Sequence, residues 1–155
     1  MIKIEKLTYR DLMENHGDPE TPEGLQQIKS EIISVQVPFL LQPHNVKIVK
    51  CHKYVAESYI DALEEILKYF GEKFIIENNL NRFSGCHVIR KTSNKRWWSI
   101  HSWGMAFDHL ANLGPYGPPS LIPYHFINAF LKRGFGWGGN WRGKKDGMHI
   151  SVTGT

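Results

Sequence analysis

In the stretch WWSIHSWGMAFDHL, residues 97–110, His101 and Asp108 stand seven positions apart. An odd separation on one regular strand sends two side chains to opposite faces of the sheet, so these two can meet only if the chain turns between them. Gly104 lies in that interval and tolerates the left-handed backbone a tight turn demands. A strand over MAFD can then carry the aspartate back toward the histidine. The plain alternative is an aromatic strand with a histidine at its turn and an aspartate capping the next element, and the two readings part on whether further ligands converge.

A hydrolytic zinc site takes three protein ligands from His, Asp, Glu and Cys and leaves a fourth position to water. His149, in KKDGMHISV, begins an apolar terminal strand that can pair beside MAFD, which makes His101, Asp108 and His149 the expected ligand set. Asp146 precedes His149 by three residues, with Gly147 between them to bend the chain. That spacing keeps its carboxylate near a metal without ligating it, as a general base requires. Arg90, closing GCHVIR, is the candidate cation for charge developing on a carbonyl oxygen.

The rest of the chain reads as packing around that unit. The most regular helix pattern covers about Tyr54 to Phe70, with Val55, Ala56, Tyr59, Ile60, Leu63, Ile66, Leu67 and Phe70 on one face and Gly71 as its stop. A short helix is expected over Lys6 to Asn15, stopped at HGDPETPEG. EIISVQVPFLL and NVKIVKC read as strands, Pro38 and Pro43 confining the first to an edge. RFSGCHVIR, MAFDHL and MHISV read as strands, and PYHFINAFLKR as a helix opened by Pro123 and closed by Gly134. Helices and strands are grouped, not alternating, so the expected fold is α+β with a small, mainly antiparallel sheet and helices packed on it.

At 155 residues, one domain is expected, with residues 1–45 as an N-terminal packing segment and 46–155 as the catalytic core. No apolar run reaches membrane-spanning length and no secretory signal is visible, so a soluble chain made in the cytoplasm, without membrane insertion, is expected. Cys51 and Cys86 sit apart in apolar stretches and read as buried free thiols. The net charge of +4 favours polyanions, but no nucleic-acid-binding motif accompanies it, so nucleic acid is not an expected partner. RKTSNKR reads as a solvated loop open to anionic wall polymer. Trp97, Trp98 and Trp103 are expected in the core, while Trp137 and Trp141 divide evenly between core and cleft. His109 should face away from Asp108, His87 should be a polar partner in the sheet, and His16, His44, His52 and His125 read as surface residues.

The pattern S-x-H-x-x-G-x-A-x-D at Ser99, His101, Gly104, Ala106 and Asp108, followed by Asp-x-x-His at Asp146 and His149, resembles the zinc D-alanyl-D-alanine carboxypeptidases, vancomycin-resistance dipeptidases and phage L-alanyl-D-glutamate endopeptidases. VKCHKYVAESYIDALEEI, FSGCHVIR and GFGWGGNWRGKKDGMHIS are similar to further segments of that family. The resemblance spans about residues 45 to 152 and implies the fold shared with the hedgehog signalling domain. It implies Zn²⁺ held by His101, Asp108 and His149, Asp146 as base, and Arg90 as the substrate and transition-state cation. Ser99, Trp137 and Trp141 are the candidates for substrate contact. Many members carry Gly-Tyr-Arg-Ser around the arginine, whereas here it follows GCHVI. The implied substrate is the stem peptide of bacterial peptidoglycan, cut by a monomeric phage or prophage lytic enzyme that reaches the wall after holin-type release or as a virion component. D-Ala-D-Ala and L-Ala-D-Glu both remain open as the scissile bond, and a noncatalytic, zinc-containing hedgehog-like binding module is the alternative of a different class.

Overall fold

The computed structural model describes residues 1–154. Helix α1 covers Tyr9–Asn15 and starts three residues later than its sequence pattern, because Thr8 caps it: the Thr8 hydroxyl accepts from the Asp11 N–H while the Asp11 carboxylate accepts from the Thr8 N–H. A second helix, α2, runs over Pro22–Glu31 within a region that the sequence reading left without structure. Its start is capped by Thr21, with Pro22 in the first turn, where the missing N–H costs nothing.

Strand β1 (Ile32–Leu41) pairs antiparallel with β2 (Val46–His52), and its register shifts between Gln36 and Leu41, around Pro38. The two form their own two-stranded sheet, which gives Pro38 the edge position its missing donor requires. Helix α3 (Lys53–Phe70) follows at once and buries Val55, Ala56, Tyr59, Ala62, Leu63 and Ile66 on the predicted face. Gly71 ends it with φ 82°, and a short helix that the sequence pattern did not disclose, α4 (Glu72–Glu77), begins directly after it.

The second half is built on a four-stranded antiparallel sheet. Its strands are β3 (Phe83–Gly85), β4 (Ala106–His109), β6 (Gly136–Trp137) and β8 (His149–Ser151), in the order β3-β4-β8-β6. A two-residue pair, β5 (Tyr116–Gly117) with β7 (Lys145–Asp146), lies beside it. Helix α5 spans Tyr124–Leu131, and Pro123 occupies its cap position. The strand expected over RFSGCHVIR is a correction: only Phe83–Gly85 is a strand, since the register shifts at Gly85, whose φ of 131° takes the chain out of the ladder. From Cys86 to Arg90 the backbone is irregular and bonds instead to the turn that carries His101. The α+β class with small antiparallel sheets stands as expected.

Alternation along β4 separates the core from the site. Phe107 stacks on Tyr59 of α3, ring centroids 3.7 Å apart, and His109 packs among Tyr59, Phe126 and Phe130. Asp108, between them, points to the opposite face, where His101 and His149 lie. Tyr59, Phe107, Phe126, Phe130 and Phe135 are fully buried, and each such side chain contributes roughly 1.5–3 kcal/mol of transfer free energy. Among the described residues no helix is long and apolar enough to cross a membrane.

Candidate metal centre

His101 sits in a single 3₁₀ turn, Ile100–Trp103. Ser99 opens the turn, its hydroxyl accepting from the His101 N–H, and Gly104 closes it in the left-handed region at φ 67° and ψ 28°. The turn is clamped on both sides. The Val88 N–H donates to the His101 carbonyl and the His52 N–H donates to the Gly104 carbonyl. A Cβ at residue 104 would come within 2.6 Å of Ile32 Cδ1 and 3.0 Å of the His52 nitrogen, so the position requires glycine for space as well as for φ.

Asp108 and His149 are direct cross-strand partners in the β4–β8 pair. The bond from the His109 N–H to the Met148 carbonyl, just outside the pair, makes theirs a non-hydrogen-bonded pair, the narrow type in which side chains approach most closely. Asp108 Oδ2 lies 3.1 Å from His101 Nε2, and Asp108 Oδ1 lies 3.5 Å from His149 Nδ1. One ligand atom from each of the three residues falls within 4.8 Å of the others.

The donor chemistry fits a divalent cation. His101 Nδ1 is 2.7 Å from the Cys86 carbonyl, which can only accept, so the ring's proton is on Nδ1 and its lone pair is on Nε2, facing Asp108. His101 Nε2 and Asp108 Oδ1 are buried and form no hydrogen bond of good geometry despite their short contacts. Buried polar atoms left this way are costly unless something positive lies between them. Burial pushes the Asp108 carboxyl up, but the His101 and His149 contacts outweigh it and hold Asp108 well below the usual carboxylate range.

Asp146 lies on β7, half-buried, with a buried Oδ1 that has no partner. Its carboxyl is pushed above the ordinary aspartate value, by burial first and by the Asp108 charge, against the opposing pull of His149, His101 and Arg90. The same site thus holds one carboxylate kept ionised and another made more basic. The Arg90 side chain is exposed, and its backbone is fixed to the 3₁₀ turn: the Ser102 hydroxyl accepts from the Arg90 N–H and donates to the Arg90 carbonyl, which also accepts from the Ser99 N–H.

Of the residues singled out for substrate contact, Ser99 is buried and its hydroxyl caps the turn of His101. Trp137 donates its indole N–H to the Gly147 carbonyl at 2.7 Å, bracing the bend between Asp146 and His149. The half-buried Trp141 ring lies 5.4 Å from that of His149. Trp103 is fully buried as expected and donates to the Gly17 carbonyl, whereas Trp97 is 46% exposed and packs edge-on against Tyr9 instead of entering the core. Cys51 and Cys86 are buried free thiols. The Cys86 carbonyl that orients His101 has no signature in the sequence, because any residue supplies a carbonyl.

A second cluster, His16, Glu31 and His52, also brings its ligand atoms within 4.8 Å of one another. His52 is 1% exposed, which corrects its reading as a surface residue. Its Nδ1 accepts from the Tyr54 N–H at the start of α3, so Nε2 carries the proton and donates it to Glu31 at 2.5 Å. A metal at Nε2 would have to break that cap, so the cluster serves as a clasp between the end of α2 and the start of α3. Burial, opposed by Glu31, lowers the His52 pKa and keeps the ring neutral.

A His-Asp-His set with both histidines buried, beside a carboxylate of raised basicity, is the equipment of a mononuclear metallohydrolase. Residues 92–152 match the family model described as D-alanyl-D-alanine carboxypeptidase. That match agrees with the resemblance read from the sequence over the segment it covers. It contains His101, Asp108, Asp146 and His149, and it begins two residues beyond Arg90. No curated protein and no solved structure matches the chain.

Proposed function

We propose that the chain is a zinc-dependent peptidase that hydrolyses a bond in peptidoglycan stem peptides, as a D-Ala-D-Ala carboxypeptidase or an L-Ala-D-Glu endopeptidase of phage or prophage origin. The observation that carries the reading is the convergence of His101 Nε2, Asp108 and His149 Nδ1 on the face of β4 opposite the aromatic core, with His101 Nε2 and Asp108 Oδ1 buried and lacking hydrogen-bond partners. When bound, zinc supplies a Lewis acid that polarises a carbonyl and brings the pKa of water down to about 7. Asp146 takes a proton from the attacking water and returns it to the departing amine, a task suited to a carboxylate of raised basicity. Arg90 offers its guanidinium to the substrate's carbonyl oxygen or terminal carboxylate as charge develops. Trp137 holds the Gly147 bend so that Asp146 and His149 keep their relative orientation.

The test uses purified protein, peptidoglycan and mass spectrometry of the released fragments. The expected result is release of peptide fragments by the zinc-loaded chain, abolished by chelator and by His149→Ala, with fragment masses that name the bond. Release that survives both treatments overturns the reading. Stoichiometric zinc binding without any cleavage would favour the noncatalytic module.

A further inference from the structure

Two loops border the candidate metal centre, and between them they hold the chain's positive excess. Residues 90–96, RKTSNKR, carry Arg90, Lys91, Lys95 and Arg96 with no acidic residue. Residues 142–145, RGKK, carry Arg142, Lys144 and Lys145, again with none. These seven are drawn from nineteen lysines and arginines, leaving twelve against fifteen acidic residues elsewhere, so the remainder of a +4 chain is net negative. Lys95, Arg96, Arg142 and Lys144 are exposed, and none has an ion-pair partner among the described residues. The first loop leads through Ser99 into the turn of His101, and the second leads directly into Asp146.

Each loop also sets an exposed ring beside a cation. Arg96 lies 5.1 Å from the centroid of Trp97, which is 46% exposed. Lys144 lies 5.8 Å from the centroid of Tyr116, which is 59% exposed and stands directly across from Asp146 in the β5–β7 pair. Rings of this kind offer a flat apolar face to a sugar or polyol, while the adjacent cation meets a phosphate. The geometry points to a docking surface, formed by the two loops that lead into the residues of the metal centre, for a phosphodiester-linked glycopolymer or polyol polymer of the bacterial wall. The choice of occupant rests on the peptidase reading above: a polymer anchored to the same insoluble body as the peptide keeps the metal centre at its substrate, whereas binding to nucleic acid would carry a peptidase away from it. Electrostatic attachment of this kind raises local concentration and weakens with salt.

The experiment measures sedimentation of the zinc-loaded chain with intact walls, with walls chemically stripped of phosphodiester polymer, and with duplex DNA at matched ionic strength. The variants are Lys95→Gln with Arg96→Gln, Arg142→Gln with Lys144→Gln, and all four together. Expected are binding to intact walls that falls steeply with added salt, a loss of roughly tenfold or more in the fourfold variant, and no difference between variant and parent on stripped walls. Hydrolysis of a small soluble stem peptide should be unchanged in the variant. Equal binding of parent to intact and stripped walls, or of parent and fourfold variant to intact walls, overturns the proposal, as does tighter binding to DNA than to walls. The salt titration of the parent needs no variant, so it decides even if a substitution harms folding. Polymer-dependent binding without any peptide cleavage would sink the peptidase reading and leave the surface standing.

Discussion

Asp108 and Asp146 carry the same functional group into the same site with opposite tendencies, because the contacts of two imidazoles outweigh burial at Asp108, while at Asp146 burial and the neighbouring Asp108 charge prevail. The division of labour predicts different outcomes for two otherwise similar variants. Asp146→Asn should keep stoichiometric zinc, measured by elemental analysis, and lose about 10²–10⁴-fold in kcat. Asp108→Asn should lose the metal itself. Gly104→Ala forces a side chain into left-handed backbone against Ile32 and the His52 nitrogen, and should cost about 1–3 kcal/mol in denaturant unfolding. At this scale the sequence was informative, since the odd spacing of His101 and Asp108 required a turn and Gly104 provides one. The clasp of His16, Glu31 and His52 was not legible, because its members come from three separate elements and no spacing rule connects them.

Among the elements, β4 does the most to join core and site, and its inward residues are anchored to α3 by a single buried hydrogen bond between the Tyr59 hydroxyl and His109 Nε2, 2.8 Å long. His109 is buried enough that its pKa is pushed down to about 3, with desolvation the main cause, so it stays a neutral ring throughout the pH range of a folded protein. Tyr59→Phe keeps the stack on Phe107 but strands that nitrogen, and should lower stability by about 1–3 kcal/mol with little effect on metal content. The sequence disclosed α3 because eighteen residues repeat an apolar face against the core. It hid α2, which buries only Gly24 and Ile28, and α4, which is six residues long and buries only Ile75. Thr21 followed by Pro22 was the available signal for α2, a start signal with no stripe behind it. β3 was overextended for the converse reason: CHVIR has strand composition, yet its backbone partners lie in the turn of His101.

Over the whole molecule, the N-terminus, α3 and α5 meet at Arg133, which is 4% exposed and contacts Asp61 at 2.8 Å and Glu65 at 3.0 Å, while the Ile2 N–H also donates to Asp61. The Arg133 hydrogen bond lowers the Asp61 pKa; burial raises that of Glu65, but Lys132 and Arg133 outweigh it and the net shift is also downward. Depressed folded-state values mean that this stabilisation is complete above the ordinary carboxylate range, near pH 4, and is lost as the pH falls through the folded values. Thermal midpoints should therefore drop on acidification below about pH 4, and Arg133→Met should flatten that drop while lowering the midpoint at neutral pH.

The placement of the ligands along the chain has a mechanical consequence. Both sulfhydryls are free, so no disulfide spans its second half. An ion grasped by residues 101, 108 and 149 would close a loop of roughly fifty residues, a constraint on the unfolded chain comparable in kind to that of a disulfide. Such a chain would be stapled by its own reagent, and metal starvation would loosen the scaffold together with the chemistry.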